Sequence, residues 1–201
     1  MVQHFRPAFV LLLLLTLVTG LAYPLAVTGA AQALMSQRAN GSLIQRDGAV
    51  VGSALIGQNF ASDRYFHGRP SATSAPDPAD ASKTMDAPYN AANSSGANLG
   101  PTSQKLIDRI KGDVRGWRKS AGPGAIPGDA LTTSASGLDP HVSPATARAQ
   151  IDAIARARGL PPATICDLVE RQIERPILGF LGEPRVNVLQ LNLALDRLKS
   201  D

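Results

Sequence analysis

The residues able to do chemistry in this 201-residue chain are few. It has three histidines, one cysteine and sixteen acidic side chains. Only His67 and His141 lie beyond the N-terminal stretch, and neither sits in H-E-x-x-H or a Cys/His ligand spacing, so no zinc or other metal site is expected. G-x-S-x-G is absent, and spacing lends no support to a Ser/His/Asp triad on either histidine. Both read as loop hydrogen-bonders. Cys166 is alone and cannot form an internal disulfide; within Ile165-Cys166-Asp167-Leu168-Val169 it reads as a small, inert core residue. No residue is assigned as catalytic or metal-ligating.

Nucleotide chemistry is equally sparse. G-x-x-x-x-G-K-[ST] is missing. Ala81-Ser82-Lys83-Thr84-Met85-Asp86 resembles the D-K-T-G loop of P-type ATPases only superficially, with no acidic residue before the lysine and no glycine after the threonine. The chain is therefore not expected to hydrolyse ATP. What remains is a series of polar, glycine-marked stretches: GSALIGQNF (52–60), YFHGRPSA (65–72), NSSGANLGPTS (93–103), LTTSASGLDPHVSP (131–144) and GEPRVNVLQLNLALD (182–196). They read either as turn chemistry or as ordered loops shaped to a partner. Asn93, Ser95, Asn98, Ser134, Ser136 and Asp139 are the partner-contact candidates among them.

These stretches must be carried by elements, and the first element is apolar. No charged residue stands between Arg6 and Arg38, and Phe9–Val27 holds eight leucines. A bilayer core of roughly 30 Å needs about 20 apolar residues as a helix. A transmembrane anchor over 1–35 is expected, with a soluble domain over 36–201. A cleaved signal peptide is the competing reading, supported by Ala31-Gln32-Ala33; its apolar region would ordinarily run only about 7–15 residues. Tyr23 suits the headgroup level, and Pro24 is expected to kink the last turns. Thr16, Gly20 and Tyr23 can lie along one side, a face for a neighbouring helix. His4 and Arg6 bias the N-terminus inward, which puts the domain on the periplasmic or extracellular side.

The rest reads as one α+β domain with long polar loops. Aromatics are 4%, and Gly and Pro together number 33 of 201, which allows a modest core. The net charge of +4 suits anionic lipid or an acidic partner better than nucleic acid. Residues 40–66 read as strands, with Gly48 at a turn and the second strand running on to Ile56; 68–103 reads as a long loop. In 102–119, Leu106, Ile110, Val114 and Trp117 form an apolar stripe opposite Lys105, Arg109, Lys111, Arg115, Arg118 and Lys119. That basic face is a solvated surface or a contact for headgroups or an acidic partner. A helix over 143–159 is capped by Ser143, begun by Pro144, stopped by Gly159 and buried through Ala147, Ile151 and Ile154. A third helix from Pro161-Pro162 turns Ile165, Val169 and Ile173 inward and closes at Pro176. Asn187 is expected to cap 188–198, although Val186 and Val188 also suit a strand.

Taken together and in order, the anchor ending in Tyr23-Pro24, Asn40-Gly41-Ser42-Leu43-Ile44, GSALIGQNF, YFHGRPSA, SASGLDPHVSP and VNVLQLNLALD resemble the KdpC family. This is the C subunit of the Kdp-type high-affinity potassium-transporting P-type ATPase. Ala97 in SSGANL departs from the small polar or glycine residue expected there. The resemblance covers the whole chain and implies a single-pass, non-catalytic subunit of a bacterial inner-membrane complex. Its implied partners are a potassium-binding channel-like subunit and a P-type ATP-hydrolysing subunit. It also implies support of assembly and a catalytic-chaperone role that raises the pump subunit's affinity for ATP. That role favours a cytoplasmic domain, against the charge bias. No cofactor of its own is expected, with ATP met through the complex; Gln150 is the nucleotide-contact candidate, by analogy to the glutamine of ABC-transporter signature loops. A standalone membrane-anchored periplasmic binding domain is the alternative.

Overall fold

The computed structural model describes residues 2–198. The outer ends of the two expected segments, residue 1 and residues 199–201, lie outside the described residues. The protein has one apolar N-terminal helix followed by mixed helices and short strands, an α+β architecture. Contacts divide the chain into two units, one ending at Ser53 and one beginning at Ala54.

The first unit is helical from Phe5 to Ala39, long and apolar enough to cross a membrane. Its large apolar side chains are unburied, and Phe9, Leu12 and Leu25 are 65% or more exposed. The helix is α1 (Phe5–Leu17), one π-helical segment (Val18–Ala22) and α2 (Tyr23–Ala39). Pro24 was expected to kink the turns after it. One irregularity falls before it, where the Tyr23 N–H reaches back to the Val18 carbonyl. Proline offers no N–H to the carbonyl four residues earlier, and a widened turn is one way a helix absorbs that loss. A second irregularity is Met35, whose φ of −148° and ψ of 51° are non-helical.

An antiparallel hairpin follows, β1 (Leu43–Arg46) and β2 (Ala49–Ser53). Asp47 and Gly48 both have positive φ (52° and 79°), the backbone that a tight two-residue turn demands and that Asp-Gly adopts readily. The expected strand run ends at Ser53; beyond it Ile56 makes a single β-bridge, and no further strand forms before Phe66.

In the second unit, the stretch read as one long loop contains a hairpin, β3 (Ser74–Asp77) paired with β4 (Asp80–Asp86). It lacks alternating apolar residues and is fixed by turn chemistry. The Asp77 carboxylate accepts from the Ala79 N–H at 2.8 Å, and Asp80 accepts from the Ser82 N–H and hydroxyl. The amphipathic helix α3 (Gln104–Ala121) forms as read, with Leu106, Ile110, Val114 and Trp117 half-buried. Arg109 leaves the basic face: it pairs with Asp113 at 2.6 Å and donates to the Leu131 carbonyl.

The core lies under a three-stranded antiparallel sheet ordered β5 (His141–Val142), β7 (Arg185–Asn187), β6 (Ile173–Glu174). Around it pack α4 (Pro144–Ala149), α5 (Ile151–Arg158), α6 (Pro162–Arg171) and α7 (Val188–Leu195). Ala147, Ile154, Ile165, Val169, Val186, Leu191 and Leu195 are 2% exposed or less. Burial of each large aliphatic side chain contributes about 1.5–3 kcal/mol relative to exposure. The Ser143 hydroxyl caps α4 by accepting from the Thr146 N–H, and Gly159 stops α5 in the left-handed region. Asn187 caps α7 by accepting from the Gln190 N–H. Two expectations change. The helix over 143–159 breaks at Gln150, and Ile173 lies in a strand because α6 already ends at Arg171. The helical repeat of Ile165, Val169 and Ile173 coincides with strand β6 at its last member, where pairing to Val186 wins.

Candidate functional site

The polar stretches do not stand apart. Residues 69–74, 87–98 and 132–139 fold onto one another, and their side chains bond chiefly to each other's backbone. Thr73 is the hub: buried at 2% exposure, its hydroxyl donates to the Ala87 carbonyl at 2.6 Å and accepts from the Asn90 N–H at 3.0 Å. The Ser71 hydroxyl donates to the Gly137 carbonyl at 2.7 Å and accepts from the Tyr89 N–H at 3.0 Å. Tyr89 donates its phenol to the Arg69 carbonyl at 2.7 Å. Gly137 is required here: its φ is +67°, and a Cβ would meet Thr73 Cγ2 at 2.5 Å and the Ser95 carbonyl at 2.6 Å.

The candidates from the sequence fall as follows. The Asn93 side-chain amide donates to the Ser74 carbonyl at 3.0 Å, and the Ser95 hydroxyl donates to the Ala72 carbonyl at 3.3 Å. The Ser136 carbonyl receives the Ser95 N–H and the Ser94 hydroxyl. Asn98 is exposed with φ +47°; Ser134 is buried. Ser134, Ser136 and Asp139 line one open cleft of about 500 Å³ with Leu55, Ile56 and Arg69. Asn98 and Ser134 share the neighbouring hollow of about 250 Å³. Thr16, Gly20 and Tyr23 belong to the first unit. Tyr23 is 65% exposed, and a Cβ on Gly20 would meet nothing within 4 Å, so that side of the helix is open.

Arg69, Tyr89, Thr73 and Asn90 were missed. A lone tyrosine inside an Ala-, Asn- and Ser-rich run is the signal that could have found one of them, because such a ring needs a place to be buried. The Arg69 guanidinium donates to Asp139 at 3.0 Å and reaches the Thr132 and Thr133 carbonyls. Burial pushes the Asp139 carboxyl up, but hydrogen bonds from His141 and Arg69 outweigh it and hold the group at about 2. Burial, followed by the Asp139 charge, pushes the Tyr89 phenol up to about 12. A second half-buried acid, Asp129, takes the Ser143 N–H, the Ser143 hydroxyl and the Thr146 hydroxyl at 2.6–2.9 Å.

Gln150 is 5% exposed at the joint between α4 and α5. It accepts from the His67 N–H at 2.8 Å and donates to the His67 and Thr146 carbonyls, both at 3.2 Å. It sits in the wall of a cleft of about 550 Å³ that also includes Tyr65, Trp117, Lys119 and Arg156. Among the described residues no three His, Cys, Asp or Glu side chains converge to hold a metal. The loop cluster presents a polar surface held together by its own hydrogen bonds.

The architecture is thus an apolar N-terminal helix, long enough to cross a membrane, joined to an α+β domain with interlocked polar loops. The profile of the family described as KdpC, K+-transporting ATPase, c chain, matches residues 5–197, and the chain belongs to that family. It is 62% identical over 199 residues to the potassium-transporting ATPase KdpC subunit of Methylobacterium nodulans, covering 98% of each chain. The proteins of the same name from Bradyrhizobium diazoefficiens and Methylorubrum extorquens are 59% and 62% identical, over 98% and 97% of each chain.

Proposed function

We propose that the protein is the accessory C subunit of an ATP-driven, high-affinity potassium uptake complex in a bacterial inner membrane. The carrying observation is the family match from residue 5 to residue 197, which takes in the apolar helix and the loop cluster together. A potassium-binding channel-like subunit and a P-type ATP-hydrolysing subunit are its partners. The helix crosses the bilayer once, and the charge bias of His4 and Arg6 puts the domain on the periplasmic or extracellular face. There the loop cluster docks a partner through Asn93, Asn98, Ser136 and Asp139. The chaperone effect on the pump's ATP affinity then passes through assembly. The amide of Gln150 already makes three hydrogen bonds within the domain, each worth about 1 kcal/mol, which a nucleotide would have to replace. A standalone anchored binding domain is the second reading, favoured by the cleft of about 550 Å³ beside Trp117.

Purification in mild detergent through a C-terminal tag separates the two. Two larger membrane proteins co-eluting in stoichiometric amount support the subunit; a lone 21.0 kDa species supports the standalone domain. The topology is read in the Cys166→Ala background with Ala79→Cys, on the exposed β3–β4 turn. A thiol reagent that cannot cross membranes labels it in intact spheroplasts if the domain is outside. Labelling only after lysis reverses the topology.

A further inference from the structure

Outside the first unit, the exposed large apolar side chains of the described residues are concentrated at one point. Four of the seven are Ile177, Leu178, Phe180 and Leu181, exposed at 71%, 78%, 73% and 53%. They stand on the turn joining β6 to β7. That turn is ordered by the chain itself: the Ile177 and Leu181 backbones bond to each other in both directions at 3.2 and 3.0 Å, and the Gly179 N–H donates to the Pro176 carbonyl at 3.0 Å. Leu178 holds φ +56°, a left-handed backbone that is unfavourable for a branched residue and that nothing packed over it compensates.

We infer that the 176–182 turn is a preformed apolar knob that inserts into an apolar pocket on the aqueous part of another subunit of the complex. This rests on the subunit reading above. The charges around the knob select this occupant. Arg185 is paired with Glu174 at 2.9 Å, and Arg175 and Glu183 have no ion-pair partner among the described residues. The rim is therefore neutral overall. An element held on anionic lipid carries a cationic excess, and Glu183 would oppose it. A partner pocket edged by one carboxylate and one cation satisfies Arg175 and Glu183 together. Size excludes a dimer built on this contact alone: four side chains fall well short of the roughly 800 Å² per partner of a stable interface. The knob suits an interface to which other parts of the chain also contribute, with a shared bilayer raising the effective concentration. Because its backbone is already ordered, insertion costs little conformational freedom.

The test uses the full chain co-expressed with the two larger subunits of the proposed complex, with Phe180→p-benzoyl-phenylalanine irradiated in intact membranes and Ala79→p-benzoyl-phenylalanine as control. A product with one of the larger subunits from position 180 only is expected. Leu178→Gly with Phe180→Ser should retain roughly tenfold less of that subunit on tag purification. The melting temperature should hold, since both side chains are exposed and glycine tolerates the φ of Leu178. Cross-linking to lipid or to a second copy, or no product while the larger subunits still co-purify, overturns the knob and leaves the subunit reading standing. Failure of the unsubstituted chain to retain any larger subunit overturns both.

Discussion

The side-chain amide of Asn192 brackets the backbone of Phe66, accepting its N–H at 2.8 Å and donating to its carbonyl at 2.9 Å. Gln150 does the same for the next residue, His67. One amide from α7 and one from the α4–α5 joint thus satisfy two consecutive backbone units that no strand pairs. Phe66 is consequently fully buried in the core although it lies in an irregular segment.

Asn192→Leu should destabilise the chain by about 2–4 kcal/mol, because it leaves a buried N–H and carbonyl of Phe66 without partners. Thermal unfolding in detergent would show it. An unchanged melting temperature would mean that water replaces the amide.

Gln150→Ala should also lower stability, by about 1–3 kcal/mol, through the loss at His67. It should leave the ATP dependence of the assembled complex unchanged once subunit content is normalised. ATP affinity falling in complexes of normal composition would establish direct nucleotide contact by this residue.

Asp139 sets an acid limit. Its folded value of about 2 lies below the ordinary carboxylate value of about 3.9, so its stabilising effect is complete above about pH 4 and disappears as pH falls toward 2. Asp139→Asn should lower the melting temperature at pH 7 and flatten its dependence between pH 4 and pH 2. Parallel curves for the variant and the parent chain would refute this assignment.

The anchor should do more than tether. Thr16→Leu with Gly20→Leu should insert normally but lose co-purifying subunits and growth on limiting potassium, because helices in lipid associate through close packing at small residues. Full assembly with these substitutions, or with a poly-Leu helix of equal length, would assign partner binding to the domain alone.

The helices were legible in the sequence where a local cap or stop accompanies a period. Ser143-Pro144, Gly159 and Asn187 mark real boundaries. The break at Gln150 was not legible, because it depends on His67, 83 positions away in sequence. The β3–β4 hairpin was missed because neither strand has an alternating apolar face and its turn rests on two aspartates. The polar stretches were recognisable, but not how they interlock: Asn93, Ser95 and Asp139, three of the six loop side chains singled out, bond to a neighbouring loop. The hub at Thr73 and the ion pair of Arg69 with Asp139 join positions far apart in the chain, which no spacing rule detects.

The π-helical segment at Val18–Ala22 alters the phase of the anchor. A widened turn holds one more residue than an α-turn, and each residue advances the helix by about 100°. Everything after Ala22 is therefore rotated relative to an uninterrupted wheel, and the ridge through Thr16 does not continue straight into α2. At Val18–Ala22 the helix is spliced from two segments out of step. A neighbouring helix that follows the first half must veer at the splice, leaving the second half's ridge for a different neighbour. Deleting any one residue from Val18 to Ala22 would bring the two halves back into step while barely shortening the helix.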